Sequence, residues 1–296
     1  MAKVLPFTGS GVAIITPFDG NKTNYDELGK LIEMHIANKT DAIIICGTTG
    51  EASTMPDEEH LAAIEYTVKK AAGRICIVAG TGSNDTAHAV ALSKKAEELG
   101  ADALLQVTPY YNKATQKGLV AHFGAVAEAV SIPIILYNVP SRTGVSISID
   151  TLKELAAKYE NIVGVKEASG NISYTAKVAA EVPELYIYSG NDDMIVPVLS
   201  LGGKGVISVV ANIMPEETHN ICKYYFDGEV DKSRELQLKM LDLINKLFIE
   251  VNPIPVKTAM NMMGFNAGNL RMPLTDMSES NKEALRQSMI NMGLLK

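Results

Sequence analysis

Lys166 stands near the end of a short apolar run, IVGVKEASG (162–170), and is the one amine in a group that otherwise carries hydroxyls and amides. The others, Thr16, Thr48, Thr49, Tyr110, Tyr111, Tyr137, Asn138, Ser189 and Asn212, each close or follow a comparable run. An amine that loses its proton in an apolar setting attacks a carbonyl carbon and forms a Schiff base. A phenol beside such an imine, such as Tyr137, can pass protons while imine and enamine interconvert. Thr48 and Thr49 in CGTTGE offer paired hydroxyls that can hold a carboxylate or relay a proton. Arg142 in VPSRTG can grip a carboxylate through two hydrogen bonds. Each residue also has a plainer reading. Lys166 can snorkel to solvent or pair with Glu167. Tyr137 can pack as an aromatic, the threonines can serve a turn, and Arg142 can form a surface salt bridge.

The direction of Lys166 follows from the strand that carries it. Side chains alternate along a strand. Ile162, Gly164, Lys166 and Ala168 are therefore expected on one face, with Val163 and Val165 on the other, toward covering helices. Lys166 then points inward, with Gly164 leaving space below it. Burying an unpaired ammonium is costly, so the neutral amine becomes accessible.

Seven more runs of the same kind precede or follow it: GVAIITPF (11–18), AIIICGT (42–48), ICIVAGTG (75–82), ALLQVTPYY (103–111), PIILYNVP (133–140), LYIYSGN (185–191) and GVISVVAN (205–212). They are apolar on both faces, as parallel strands covered by helices are. Their early spacing of about 30 residues is that of a βα unit. Helical patterns fill the gaps. In TMPDEEHLAAIEYTVKKAAG, Thr54 is the expected cap, Leu61, Ile64 and Val68 the apolar face, and Gly73 the stop. In DTAHAVALSKKAEELG, Asp85 caps and Gly100 stops. Eight such alternations predict an α/β fold, a (β/α)8 TIM barrel, over residues 1–224. A doubly wound sheet is the runner-up, and TPFDGNKT is not its glycine-rich phosphate turn. Residues 225–296 read as a C-terminal helical extension packed on the barrel, through VDKSRELQLKMLDLINKLF, VKTAMNMMG and NKEALRQSMINMG. The barrel rule places active sites at the C-terminal strand ends, where the residues of the first paragraph lie.

Other features exclude function classes. The 296 residues carry a net charge of −7, which argues against a nucleic-acid partner. Cys46, Cys76 and Cys222 are sparse, and the first two sit in apolar runs as buried thiols do, which suits a reducing compartment. Pro6 and Gly9 interrupt any signal-peptide core, and no run reaches the roughly 18 apolar residues of a membrane span. A cytoplasmic protein is expected. His35, His60, His88, His122 and His219 all fall in helical segments without metal-ligand spacing, which disfavours a zinc-dependent aldolase. LGGKGV (201–206) precedes the eighth strand and reads as a helix stop at the barrel's bottom.

Six segments, GTTGE (47–51), VTPYYNK (107–113), LYNVPSRTG (136–144), GVKEASGN (164–171), GVISVVAN (205–212) and NPIPVKTAM (252–260), together resemble the dihydrodipicolinate synthase (4-hydroxy-tetrahydrodipicolinate synthase) family. The resemblance runs from FTGSGVAIITPF to LRMPL (270–274). The GxTGE and YNxPxxTG patterns mark the wider superfamily that includes N-acetylneuraminate lyase, and GTTGE with the arginine of PSRTG favours the synthase branch. The resemblance implies that Lys166 forms an imine with pyruvate. It implies a proton relay of Tyr137, Thr48 and Tyr111, with Tyr111 coming from a neighbouring subunit. Thr49 would bind the pyruvate carboxylate, Ile207 would line the pyruvate pocket, Arg142 would hold the carboxylate of aspartate 4-semialdehyde, and Gly190 would contribute main chain. The implied activity is a lyase reaction on the route to diaminopimelate and lysine, without metal or organic cofactor, in a homotetramer built as a dimer of dimers.

The family's lysine-inhibition site is matched by Asn84, Tyr110 and His60, but His88, Asp57 and Ala52 replace a carboxylate, a histidine and a serine of that pattern. Weak or absent lysine inhibition is expected. Two rivals remain from the sequence: a sister lyase cleaving a longer 2-oxo sugar acid, against which Arg142 speaks, and a non-catalytic ligand-binding barrel, against which the intact set of Lys166, Tyr137, Thr48 and Tyr111 speaks.

Overall fold

A computed structural model describes residues 3–296. Eight parallel strands close into a barrel: β1 (Gly9–Ala13), β2 (Ala42–Ile45), β3 (Cys76–Gly80), β4 (Ala103–Val107), β5 (Ile134–Asn138), β6 (Ile162–Glu167), β7 (Tyr186–Ser189) and β8 (Gly205–Ser208), with β8 pairing back onto β1. All eight expected strands are present, and each ends before the tail of its run. Those tails, TPYY, VP, ASG and VVAN among them, become the loops of the upper face.

Helices α1 (Tyr25–Ala37), α2 (Asp57–Ala71), α3 (Thr86–Glu98), α4 (Gln116–Ala129), α5 (Ile149–Lys158), α6 (Ile172–Glu181), α7 (Ile195–Ser200) and α8 (Pro215–Phe226) surround the barrel. Asp85 caps α3 as expected, its side chain accepting from the Ala87 N–H. Thr54 does not cap α2. Its hydroxyl donates to the Glu51 carbonyl inside a 3-10 turn, and α2 begins after Pro56 with no side-chain cap. Its acidic first turn, Asp57, Glu58 and Glu59, suits the positive end of the helix dipole instead. The LGGKGV segment stops α7 as expected, with the Gly203 N–H donating to the Val198 carbonyl.

Two apolar clusters follow from side-chain alternation. An outer one lies between strands and helices and an inner one fills the barrel. The inner set includes Ile44, Val78, Leu105, Ile135, Tyr137, Tyr188 and Ile207. Phe7, entering before β1, stacks on Tyr188 at 4.5 Å and accepts a hydrogen bond from its hydroxyl, closing the lower end. The alternation in β6 breaks at its start. Ile134 pairs with Ile162 but Ile135 pairs with Gly164, so Val163 is an extra residue. Ile162 packs in the outer cluster, not on the face of Lys166 as strict parity predicts. One inserted residue reverses the facing of everything before it. Gly164 has a further reason to be glycine, since a Cβ there would stand 2.6 Å from the Tyr186 carbonyl oxygen.

The C-terminal extension is helical, α9 (Val230–Lys246), α10 (Ile254–Met262) and α11 (Glu279–Asn291). Helix α9 packs on α8, and α11 packs on both α9 and α10. The extension is clamped to the GTTGE loop by a buried ion pair. Lys257 Nζ lies 2.8 Å from Glu51 Oε1 and also donates to the carbonyls of Thr16 and Asn269, at 3.0 and 2.8 Å. The other Glu51 oxygen accepts from the Arg271 N–H, and the Arg271 guanidinium forms a two-pronged pair with Glu59. Burial without partners would make these charges costly, and every Lys257 proton here has an acceptor.

Candidate active site

Lys166 is the fifth residue of β6, in register with Tyr137 on β5 and Tyr188 on β7. Its side chain is buried within the barrel mouth, and Nζ lies 4.2 Å from the centre of the Tyr137 ring. Burial lowers its pKa to about 7, with the Asp192 carboxylate resisting that fall and the Arg142 guanidinium adding to it. A substantial fraction is therefore neutral near pH 7, the state that adds to a carbonyl.

Tyr137 forms the wall shared by Lys166 and a cavity of about 340 Å³ above the strand ends. Burial raises the pKa of its phenol, while Arg142 and the adjacent Thr48 side chain pull it down. The phenol thus keeps its proton at neutral pH yet has a hydroxyl neighbour to exchange it with. Thr48 and Arg142 line the same cavity. Arg142 sits on a one-turn helix, Pro140–Thr143, and its Nη2 donates to the Asn252 carbonyl at 3.2 Å. Thr49 is buried beside Thr48, and its hydroxyl accepts from the Asn252 amide at 3.0 Å. Ile207 on β8 belongs to the barrel interior. Gly190 follows β7, where a Cβ would stand 2.6 Å from that of Ala168, and its N–H donates to the Glu167 carbonyl at 2.7 Å. Only glycine lets the chain pass this close to the end of β6.

Tyr111 is not brought to Lys166 within the chain. It is 90% exposed, with a left-handed φ of 71°. The residues matched to an effector site cluster around the same cavity. His60 and Tyr110 line it, and the Asn84 side chain donates to the Tyr110 carbonyl. His60 is occupied by the Gly80 carbonyl at 2.8 Å. His88 faces Asp57 at 2.9 Å and Ser83 at 3.1 Å, so two of the three exchanged positions meet each other. Lys257, the other buried lysine, is committed to Glu51 and two carbonyls. Among the described residues no group of histidine, cysteine and carboxylate side chains has the geometry of a metal site.

The residue reading missed two side chains. Asp192 follows β7, is buried, and accepts from the N–H groups of Val209 and Val210 at 3.0 and 2.9 Å. Asn252 comes from the extension and touches both Thr49 and Arg142. The visible signals were an acidic pair after the seventh run and an asparagine in NPIPVKTAM, but neither spacing says what it will face.

The dihydrodipicolinate synthetase family model matches residues 6–291. The chain belongs to that family. It is 61% identical to the 4-hydroxy-tetrahydrodipicolinate synthase of Caldicellulosiruptor bescii over 97% of this chain and 98% of that one. With the same-named protein of Acetivibrio thermocellus it shares 60% identity over 98% of both. The crystal structure of dihydrodipicolinate synthase from Aquifex aeolicus superposes with a TM-score of 0.96 at 48% identity, covering 97% of this chain and 99% of that one. Membership in the family makes the chain an enzyme, a lyase, on a TIM barrel with a helical C-terminal extension.

Proposed function

We propose that the chain condenses pyruvate with L-aspartate 4-semialdehyde to give 4-hydroxy-2,3,4,5-tetrahydrodipicolinate, the first committed step toward diaminopimelate and lysine. The carrying observation is the buried, pKa-lowered Lys166 under the Tyr137 ring. The neutral amine adds to the C2 carbonyl of pyruvate and water leaves, giving an iminium. Loss of a C3 proton gives the enamine, whose C3 attacks the aldehyde carbon. The aldehyde oxygen takes up a proton and becomes the 4-hydroxyl. The amino group of the second substrate then attacks C2, closes the ring and releases Lys166. Tyr137 and Thr48 carry protons in these steps, and Tyr111 joins them from a second subunit. Thr49 and the main chain at Ile207 and Gly190 receive pyruvate, and Arg142 receives the semialdehyde carboxylate. Its place at the cavity wall supports that assignment.

Similarity to relatives named as the synthase supports this reading over a lyase of 2-oxo sugar acids. An assembly of two dimers gives the exposed Tyr111 a site to serve. Among the described residues no helix is long and apolar enough to cross a membrane, and the three cysteines are unpaired, which suits catalysis in the cytoplasm. The test is borohydride reduction in the presence of pyruvate followed by peptide mass spectrometry. A pyruvyl adduct on Lys166 is expected, and an adduct on Lys257 or none at all refutes the assignment. A coupled assay with the semialdehyde then separates the synthase from its sister lyases.

A further inference from the structure

We infer that Asn252, supplied by the C-terminal extension, is a positioning residue that aims the Thr49 hydroxyl at the pyruvate carboxylate and anchors the Arg142 guanidinium through its own carbonyl. The inference rests on the reading of Thr49 as the residue that receives pyruvate.

A threonine hydroxyl has one proton to give and lone pairs to receive with. The Asn252 Nδ2 donates to Thr49 Oγ1 at 3.0 Å. That bond fills an acceptor position of the oxygen, and the Thr49 proton is left to point elsewhere. An anionic carboxylate accepts such a proton strongly. Without Asn252 the hydroxyl would be free to rotate, or to spend its proton on a neighbouring carbonyl. The same residue's main-chain oxygen accepts from Arg142 Nη2 at 3.2 Å. One residue therefore touches both groups assigned to substrate carboxylates, one through its side chain and one through its backbone.

Two observations argue that this amide is not there for packing. Asn252 is buried, and its Oδ1 has no hydrogen-bond partner among the described residues. A buried acceptor left unpaired costs stability, so a residue chosen for the fold alone would be an apolar one. The backbone at this point is also held independently. The Lys257 N–H donates to the Pro253 carbonyl, and the Lys257 side chain is fixed on Glu51, which belongs to the same loop as Thr49. The extension and the GTTGE loop are thus locked together before Asn252 makes its contact.

The test compares Asn252→Ala, Asn252→Asp and Thr49→Val, alone and combined, using two measurements. The first is the pyruvate concentration that gives half-maximal borohydride trapping at Lys166. The second is KM for each substrate. Asn252→Ala should raise the pyruvate requirement roughly five- to tenfold, the worth of one hydrogen bond. It should leave KM for the semialdehyde within about twofold, because the contact to Arg142 is made by the backbone. Asn252→Asp keeps the shape, so it carries the test if the alanine variant does not fold. It takes the Thr49 proton for itself, and its effect on pyruvate should be at least as large. In a Thr49→Val background neither change should add anything, since the partner is gone. Equal loss for both substrates, or full additivity with Thr49→Val, would overturn the inference and mark Asn252 as merely structural. Absence of any pyruvyl adduct in the unaltered protein would instead overturn the functional reading beneath it.

Discussion

Lys166 Nζ and the Tyr137 ring lie face to face at 4.2 Å, from residues paired in register on adjacent strands. The ring shields the amine from solvent, and its hydroxyl belongs to the cavity where Thr48 also sits. In the proposed mechanism, shielding and proton transfer are therefore two separable jobs of one side chain. Tyr137→Phe keeps the first and deletes the second. It should still form the borohydride-trapped pyruvyl adduct, while turnover falls about 10²- to 10⁴-fold, the usual worth of a placed acid–base group. A turnover within tenfold of the unaltered enzyme would remove Tyr137 from the relay.

The lowered pKa of Lys166 sets a pH dependence. Only the neutral amine adds to pyruvate, and its fraction rises tenfold per pH unit below about 7 and levels off above it. Trapping rates at subsaturating pyruvate should show that bend. Asp192 holds the lysine pKa up, and its oxygen also accepts two backbone N–H bonds that an amide oxygen can keep. Asp192→Asn should therefore move the bend to lower pH without unfolding the protein. A bend that stays in place would show that the two groups do not communicate, and one that moves upward would overturn the sign of their interaction.

The same burial has a stability consequence. In the folded chain Lys166 titrates near 7, against 10.5 for an exposed lysine. Between those values the unfolded chain holds the extra proton, so this group makes stability rise with pH across that window and full stability is reached only above it. At pH 7 and below, the penalty for burying the amine is at its largest. Lys166→Met fills similar space with no charge. It should abolish the adduct and raise the melting temperature at pH 7, by about 2–4 °C for each kcal/mol regained. The gain should shrink as pH approaches 10. Calorimetry of the two proteins at pH 7 and 10 checks this, and a lower melting temperature at both would contradict it.

The strands and the direction of Lys166 were readable because they rest on local rules. Two-faced apolar runs mark covered parallel strands, and alternation gives the facing of residues after the bulge at Val163. Ile162 lay beyond that rule, since the extra residue is visible only in pairing to β5. Thr54 failed as a cap because its hydroxyl found the Glu51 carbonyl first, a competition between local bonds that spacing does not decide. Asn252 and Thr49 are 203 positions apart in the chain. No periodicity predicts a contact of that range, and it requires the extension to fold back over the barrel mouth. Tyr111 is the opposite case. Its position on the loop after β4 was expected, but any site it completes lies outside one chain.

Lysine should inhibit weakly or not at all. An effector ammonium entering beside Tyr110 and Asn84 would have to displace His88 from Asp57, a pair already made at 2.9 Å. The Asp57 carboxylate is thus engaged, and no free carboxylate replaces the one that the lysine-binding pattern places at position 88. His60, committed to the Gly80 carbonyl, has no acceptor to offer on that nitrogen. Steady-state rates with millimolar lysine should stay within about twofold of those without it, a difference under 0.5 kcal/mol. Inhibition at micromolar lysine would show that the exchanged pair still builds a binding site.

Tyr111 provides the sharpest test of assembly. It is 90% exposed, at the centre of a tight turn with a left-handed φ that the Asn112 N–H closes on the Tyr110 carbonyl at 2.9 Å, so its ring is presented to solvent and not packed on its own chain. If Tyr111 serves the Lys166 of a partner, the two residues can be supplied by different chains. Lys166→Ala and Tyr111→Phe should each be nearly inactive alone. Mixed by co-expression, half of the dimers pair one chain of each kind. In such a dimer one site has lost both residues, and the other has an intact Lys166 from one chain and an intact Tyr111 from its partner. About a quarter of all sites should then work, recovering activity that neither variant shows by itself. If Tyr111 acted on its own chain, every site in the mixture would still lack one residue. Mixing would then recover nothing, and the exposed tyrosine would need another explanation.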